Sequence, residues 1–392
     1  MKKLQGVKIV RVATVPYFVI SQLKEQLESL CDAGAQVVVV TSPGPELASL
    51  EARGIMCMPV EISRAPSPWK DLVAVFKLFV IFWHGNFDIS HSTTPKAGLL
   101  TAIAAFLARV PIRLHTFTGQ PWVTMKGPVY WFARWSDWVI GRLNTRCYAD
   151  SETQRQFLIE HGIIDPARLL VIGNGSLAGV NLDRFNSLRF SSSMRAKTRE
   201  ILGIPPGIQV VLFLGRITGD KGVRELIAAF RTLKERGSEA HLLCVGPFDS
   251  GKGGIGKICR DEIADVPDTH LVGYTENPES YMAIADVLCL PSYREGFGTV
   301  VIEAAAMGIP TIGTNIPGLA DAVWHGKTGV LVAVRDVSAL AKALSELLEN
   351  KELCVEMGRA ARERVELLFD SRSVNEHVVA EYRKLLNTKI YM

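Results

Sequence analysis

Short runs of β-branched and aliphatic residues alternate with longer stretches of helical periodicity along almost the whole chain, and no other feature constrains the fold as tightly. VKIVRVAT leads into SQLKEQLESLCDAGA, then QVVVVTS, a helical pattern over 69 to 83, DISHS, another over 96 to 109, IRLHTF, and an aromatic segment over 129 to 147. The rhythm restarts at IQVVLFLGR and runs through 223 to 236, AHLLCVG, THLVGY, 278 to 285, VLCLPS, 299 to 307, PTIGT and GVLVAV. Strand and helix patterns in strict alternation require parallel sheets with helices on both faces. At 392 residues, two α/β domains of similar size are expected.

Between the two series, VIGNGSLAGVNLDRFN (171 to 186) has the glycine, serine and asparagine content of a hinge. The sequence thus predicts a first domain over 1–172, a hinge over 173–187 and a second domain over 188–370. The tail from 338, ending in NEHVVAEYRKLL, is helical and has no following strand, so its last part, 371–392, is expected to pack back on the first domain.

Composition excludes several classes. The seven cysteines form no C-x-x-C pair and lie mostly in apolar runs, which points to reduced thiols in a cytosolic protein. Eight histidines show no ligand spacing, so no metal site is expected. Lys8 and Arg11 interrupt the opening apolar stretch, which reads as a first core strand rather than a signal peptide. LVAVFKLFVIFW (72 to 83) and AGLLTAIAAFLA (97 to 108) are far short of the roughly 20 apolar residues a bilayer span needs. Charge is uneven: residues 1 to 150 hold 16 Lys/Arg against 10 Asp/Glu, and six of the seven tryptophans lie there. That is too sparse a basic footprint for nucleic acid. The segment WVTMKGPVYWFARWSDWVIGRLNTR (122 to 146) fits two readings equally on its residues, a helix packed on the sheet or one resting on an anionic membrane surface.

Two loops carry the chemistry. GRITGDKG follows a strand and precedes the helix VRELIAAF, so Arg216 and Lys221 stand where an α/β sheet receives its ligand, with Arg216 able to fork two phosphate oxygens and Lys221 to supply a compact charge. REGFGT, after VLCLPS, brings Gly296 and Gly298 to the amino end of a helix beginning near Thr299, where free N–H groups favour an anion. Glu295 on this turn would repel phosphate and suits a neutral polyol; Glu303, a turn into the helix, suits a pair of vicinal hydroxyls such as a ribose presents. No G-x-G-x-x-G follows the first strand, and GKGGIG (251 to 256) lies in a polar stretch, which argues against a nicotinamide enzyme.

The E-x7-E from Glu295 to Glu303, LPSYREGFG before it, EAAAMGIPTIGTNIPG and HGKTGVLV after it, LGRITGDKG and GNGS together resemble the retaining glycosyltransferases of family 4, of the GT-B fold, in which two Rossmann-like domains face a central cleft. The likeness spans the second half of the chain and is looser over the first 170 residues, where it is to bacterial enzymes extending lipid-linked surface polysaccharides. It implies that Arg216 and Lys221 neutralise a donor diphosphate, Glu303 holds the nucleotide ribose and Glu295 contacts the transferred sugar, with the backbone at Gly296, Phe297 and Gly298 and the adjoining Thr299 on the donor and the VGY strand end at Tyr274 against the base. It further implies a nucleotide-sugar substrate (a UDP-sugar), a polyprenyl-diphosphate-linked saccharide acceptor, no cofactor or metal, and a cytoplasmic protein peripheral to the membrane. Three positions depart from the pattern. Thr118 stands where many relatives have histidine, with His115 three residues earlier, and TVPYFVISQ replaces a Gly-Gly turn; Thr118, His115 and Asn174 of the GNGS motif are further candidates. Asp321 stands where relatives more often have glutamate. A sugar-nucleotide-binding protein without transfer activity, or a sugar-nucleotide epimerase of the same fold, are the rival classes.

Overall fold

A computed structural model describes residues 4–63, 67–248 and 255–389. The chain forms two compact units, residues 1–179 with 371–392, and residues 180–370. The first unit is built on a seven-stranded parallel sheet of β1 (Lys8–Val12), β2 (Gln36–Thr41), β3 (Met56–Pro59), β4 (Ile89–Thr93), β5 (Ile112–Phe117), β6 (Arg146–Ala149) and β7 (Leu169–Val171), in the order β3-β2-β1-β4-β5-β6-β7. The alternation in β1 explains how both faces are filled. Val10 and Val12 point to a core shared with the helices Pro68–Gly85 and Pro95–Leu107, while Ile9 points to a second core with the helices Lys24–Asp32 and Ser371–Lys389.

The final helix, Ser371–Lys389, is therefore part of the first unit: Val378, Val379 and Tyr382 are buried beside Leu27 and Leu30. Its seat also has a polar element. Arg11, on β1 and almost fully buried, donates from Nη1 to Tyr382 Oη at 2.7 Å and reaches His91 Nδ1 at 2.7 Å. Burial, then the Arg11 charge, hold His91 well below its ordinary pKa. A neutral His91 accepts on the Nδ1 that faces Arg11 and donates from Nε2 to Thr116 Oγ1 at 2.8 Å.

The second unit has a six-stranded parallel sheet, β8 (Val210–Leu214), β9 (His241–Val245), β10 (Thr269–Val272), β11 (Val287–Leu290), β12 (Thr311–Thr314) and β13 (Gly329–Val332), in the order β10-β9-β8-β11-β12-β13. Its four inner strands, β9, β8, β11 and β12, are buried on both faces, which is why they read as near-continuous apolar runs rather than alternating ones. The expected strands and helices occur, so two Rossmann-like α/β units stand as read. Strands β3, β6 and β7 were missed. RCYA and LLV are too short and too polar at their edges to stand out, and Arg146 interrupts the first of them.

Tryptophan placement divides. Trp122 is buried and its Nε1 donates to Asp137 Oδ2 at 2.8 Å, whereas Trp131, Trp135 and Trp138 of the helix Gly127–Leu143 are exposed. No described helix is long and apolar enough to cross a membrane. The six cysteines with described side chains are free thiols. Of GKGGIG, residues 251–254 lie outside the described residues.

Candidate active site

The order of the second sheet fixes where a ligand can enter. The chain lays β9 and β10 on one side of β8, then returns to place β11 on the other, so the connections leaving β8 and β11 diverge and open a crevice at their carboxyl ends. GRITGDKG leaves β8 and PSYREGFG leaves β11, so the two loops chosen on chemical grounds are neighbours at that switch point.

They are tied to each other. The Tyr293 amide donates to the Asp220 carbonyl at 2.8 Å, and Arg294 Nη2 lies 2.7 Å from Asp220 Oδ2. Although burial opposes it, the Arg294 charge and the Thr218 hydroxyl hold Asp220 below the usual carboxylate range. Gly222 lets the loops close up: its φ is +67°, and a Cβ there would lie 2.0 Å from the Pro291 carbonyl oxygen. Behind the second loop, a Cβ at Gly318 would lie 2.6 Å from the Gly296 carbonyl oxygen, a clash that only glycine avoids.

On this scaffold Lys221 Nζ lies 2.5 Å from Glu295 Oε1, which also accepts from Ser292 Oγ at 2.8 Å. Both charged side chains are mostly buried, at 18% and 12% exposure. Arg216, one residue beyond Gly215, is exposed and has no hydrogen-bonding or ion-pair partner among the described residues. Gly296, Phe297 and Gly298 are buried, and the Phe297 ring packs edge-on against Phe369 at 5.1 Å, so only the main chain of that turn is available to a ligand. Gly298, at φ +87°, precedes the helix Thr299–Ala306 and supplies no side-chain cap. The first turn therefore carries the positive end of the helix dipole with no N-cap side chain over it.

Glu303 lies in the second turn of that helix, half-buried, its carboxylate without a hydrogen bond among the described residues. Burial pushes its pKa up to about 7, with Glu279 adding to the rise and Arg184 opposing it. Arg184 and Glu279 form an ion pair of their own, Nη2 to Oε2 at 2.9 Å. Sequence reading missed this pair, as it missed Ser292, Asp220 and Arg294. Asp220 and Arg294 stood inside the quoted loops, but their partnership depends on β8 and β11 being adjacent. Tyr274 is exposed after β10, beyond β9 from the crevice.

The remaining candidates lie in the first unit. Thr118 is half-buried after β5 and Asn174 is exposed after β7. His115 is enclosed: its Nδ1 meets Ser92 Oγ at 2.9 Å, Phe117 packs on the ring at 4.7 Å, and a Cβ at Gly98 would touch it at 2.4 Å. Burial lowers its pKa to about 3, so it is a neutral core imidazole.

Comparison with known proteins gives this arrangement a family. Residues 194–364 match the model for glycosyl transferases group 1, and residues 19–175 the model for a glycosyl transferase 4-like domain. A capsular polysaccharide biosynthesis glycosyltransferase from Staphylococcus aureus is 29% identical over 383 residues, 98% of each chain. A D-inositol 3-phosphate glycosyltransferase from Pseudarthrobacter chlorophenolicus is 30% identical over 297 residues, 71% of this chain and 66% of that protein. Among solved structures, Anabaena HepE in complex with UDP and glucose superposes with a TM-score of 0.80 at 20% identity, covering 96% of this chain and 99% of that one. A glycosyltransferase from Rickettsia africae superposes with a TM-score of 0.78 at 22% identity, over 97% and 99%. With a glycosyl transferase model matched on each of its two Rossmann-like units, the chain belongs to the group 1 glycosyl transferases, of the GT-B fold.

Proposed function

We propose that the protein is a retaining, metal-independent glycosyltransferase of family 4 that moves a sugar from a UDP-sugar to a hydroxyl of a polyprenyl-diphosphate-linked saccharide, in the biosynthesis of a surface polysaccharide. The observation that carries this reading is the set at the β8/β11 switch point: an unpartnered Arg216, the Lys221–Glu295 pair and an uncapped helix start, on loops bound to each other. The relative from Staphylococcus aureus, named for capsular polysaccharide biosynthesis and similar over nearly its full length, supports the pathway class. HepE with UDP and glucose supports the donor.

In the proposed reaction the acceptor oxygen bonds to the anomeric carbon as the bond from that carbon to the phosphate oxygen breaks. The acceptor proton passes to the departing phosphate. Arg216, Lys221 and the amides at the start of Thr299–Ala306 stabilise the charge that builds on the diphosphate. The Lys221–Glu295 contact does not oppose these roles, because an ammonium has three donors and a carboxylate about four acceptor sites. Lys221 keeps donors for phosphate, and Glu295 keeps Oε2 for a sugar hydroxyl. Glu303 accepts from the ribose hydroxyls, the Gly296–Gly298 main chain meets the sugar, and the loop at Tyr274 lies along the base. Thr118 and Asn174 stay candidates on the first unit by themselves; His115, sealed in the core, is given no role. A lipid-linked acceptor places the protein at the cytoplasmic face of a membrane, with the 122 to 146 segment against anionic lipid.

Thermal shift with UDP, GDP and their sugars tests the donor, since a ligand of the native state raises its melting point. UDP is expected to raise it and GDP to do so less. Transfer to a polyprenyl-diphosphate saccharide, with the product anomer read by NMR, tests the reaction. An inverted product, or turnover abolished by EDTA and restored by a divalent ion, overturns the mechanism.

A further inference from the structure

The helix Pro68–Gly85 is apolar over most of its circumference, broken by the line Lys70, Lys77 and His84, and carries more apolar side chains than one buried face requires. Only one side is enclosed. Ala74, Leu78 and Phe82 face the sheet, while Trp69, Leu72, Val73, Phe76, Val80 and Trp83 form a second stripe turned to solvent. Trp69 is 76% exposed, Phe76 65% and Trp83 56%, and their spacing of seven residues keeps them on one line. The helix Pro95–Leu107 packs between this helix and Gly127–Leu143, so the three lie side by side on one face of the first sheet. Phe106 and Leu107 end the middle helix exposed, and Trp131, Phe132, Trp135 and Trp138 stand on the outer side of the third. Single exposed apolar residues are ordinary, but an array across three adjacent helices marks a surface with a partner.

Charge selects the partner. Between 68 and 143 the chain carries eight Lys/Arg and three Asp/Glu. None of the three acids is exposed: Asp137 is buried on Trp122, Asp71 pairs with Lys96, and Asp88 accepts from the Lys8 amide. Lys70, Lys77, Arg109, Lys126 and Arg142 are exposed, and Arg142 and Arg134 sit over the rings of Trp138 and Trp131 at 5.2 and 5.9 Å. Lys70 is held at 2.9 Å by the exposed Glu61 at one edge, but the three helices themselves carry no exposed acid. Indole rings flanked by a surplus of cations match the headgroup region of an anionic bilayer.

We propose that the outer faces of Pro68–Gly85, the end of Pro95–Leu107 and Gly127–Leu143 form one membrane-binding footprint, with Trp69, Phe76 and Trp83 seated in the headgroup layer of an anionic bilayer. This extends the membrane contact proposed above from one helix to three and gives the first of them an equal share.

Two variants of the full chain test it, Trp69→Ser with Phe76→Ser and Trp83→Ser, and Trp131→Ser with Trp135→Ser and Trp138→Ser. Vesicles of phosphatidylglycerol and of phosphatidylcholine serve as probes in co-sedimentation at low salt. The parent is expected to bind the anionic vesicles in preference, and each variant to bind them about tenfold or more weakly. Melting temperature and the UDP-induced shift should stay at parental values, since every replaced residue is exposed and none lies in the second unit. Parental vesicle binding by the 69/76/83 variant overturns the footprint. So does a parent that ignores vesicles, or one that forms a dimer in sedimentation velocity which the same substitutions dissociate. Transfer to a soluble acceptor instead of a lipid-linked one would sink the acceptor reading while leaving vesicle binding intact.

Discussion

Lys221 Nζ is 2.5 Å from Glu295 Oε1, so the cation assigned to the diphosphate and the acid assigned to the sugar meet in the protein itself. Removing either leaves a mostly buried charge without its partner. Lys221→Ala is expected to lower kcat/KM by about a thousandfold or more, on the order of 4 kcal/mol of lost transition-state stabilisation. Arg216→Ala should match it within an order of magnitude in activity but leave the melting temperature unchanged, because Arg216 is exposed and unpartnered. Steady-state kinetics with both variants checks this; near-parental transfer by either rejects the assignment.

The local half of this site could be read before any coordinates. Arg216, Lys221, Glu295 and Glu303 each lie on a loop or helix start that follows a strand, and carboxyl-end loops face the crevice of an open parallel sheet. What joins them could not be read, because Asp220 meets Arg294 and Arg184 meets Glu279 only once the strand order is known. The helix Pro68–Gly85 misleads for a different reason. It carries more apolar residues than one face can bury, and periodicity does not say which of them the sheet covers.

Glu303 ties donor binding to pH. With its pKa near 7, the carboxylate is largely protonated in slightly acidic solution and loses acceptor capacity for the ribose. UDP affinity is expected to rise as pH passes upward through about 7, approaching a tenfold change per pH unit below that value. A titration of Kd by calorimetry from acid to alkaline pH measures it, and Glu303→Gln should bind weakly with a flat profile.

The same group gives the opposite trend in stability. Folding raises the Glu303 pKa from 4.5 to about 7, so across that window the folded chain holds a proton the unfolded chain has lost. Its contribution therefore weakens stability as pH climbs through the window, and the penalty is full above it. Glu303→Gln removes the ionisable group. At pH 8 and without nucleotide it should be more stable than the parent by roughly 1–3 kcal/mol, and near pH 4 about equal to it. Urea melts at the two pH values separate these outcomes.

Gly222 is the hinge pin of the two loops. Its φ of +67° strains any other residue, and a Cβ would strike the Pro291 carbonyl at 2.0 Å, an obstacle on the main chain that cannot rotate away. Gly222→Ala should force the β8 loop off the β11 loop and separate Lys221 from Glu295. Donor affinity is expected to fall at least tenfold, with a loss of about 2 kcal/mol or more in stability. Parental UDP binding by this variant would mean that the loops need not touch.

Tyr382 fastens the final helix through a buried polar contact rather than by apolar packing alone. Its hydroxyl accepts from Arg11 Nη1 at 2.7 Å and contacts His91, while Arg11 Nε and Nη2 are buried with no partner. Tyr382→Phe keeps the ring and its packing but leaves Arg11 only His91. The expected loss is roughly 1–3 kcal/mol, since a buried donor of a charged group goes unmet. Hydrogen exchange should localise the effect, with amides of Ser371–Lys389 exchanging faster while those of β8 to β13 keep their parental protection, because Arg11, His91 and the last helix all belong to the first unit. If protection falls equally in both units, the helix is held by something other than this contact.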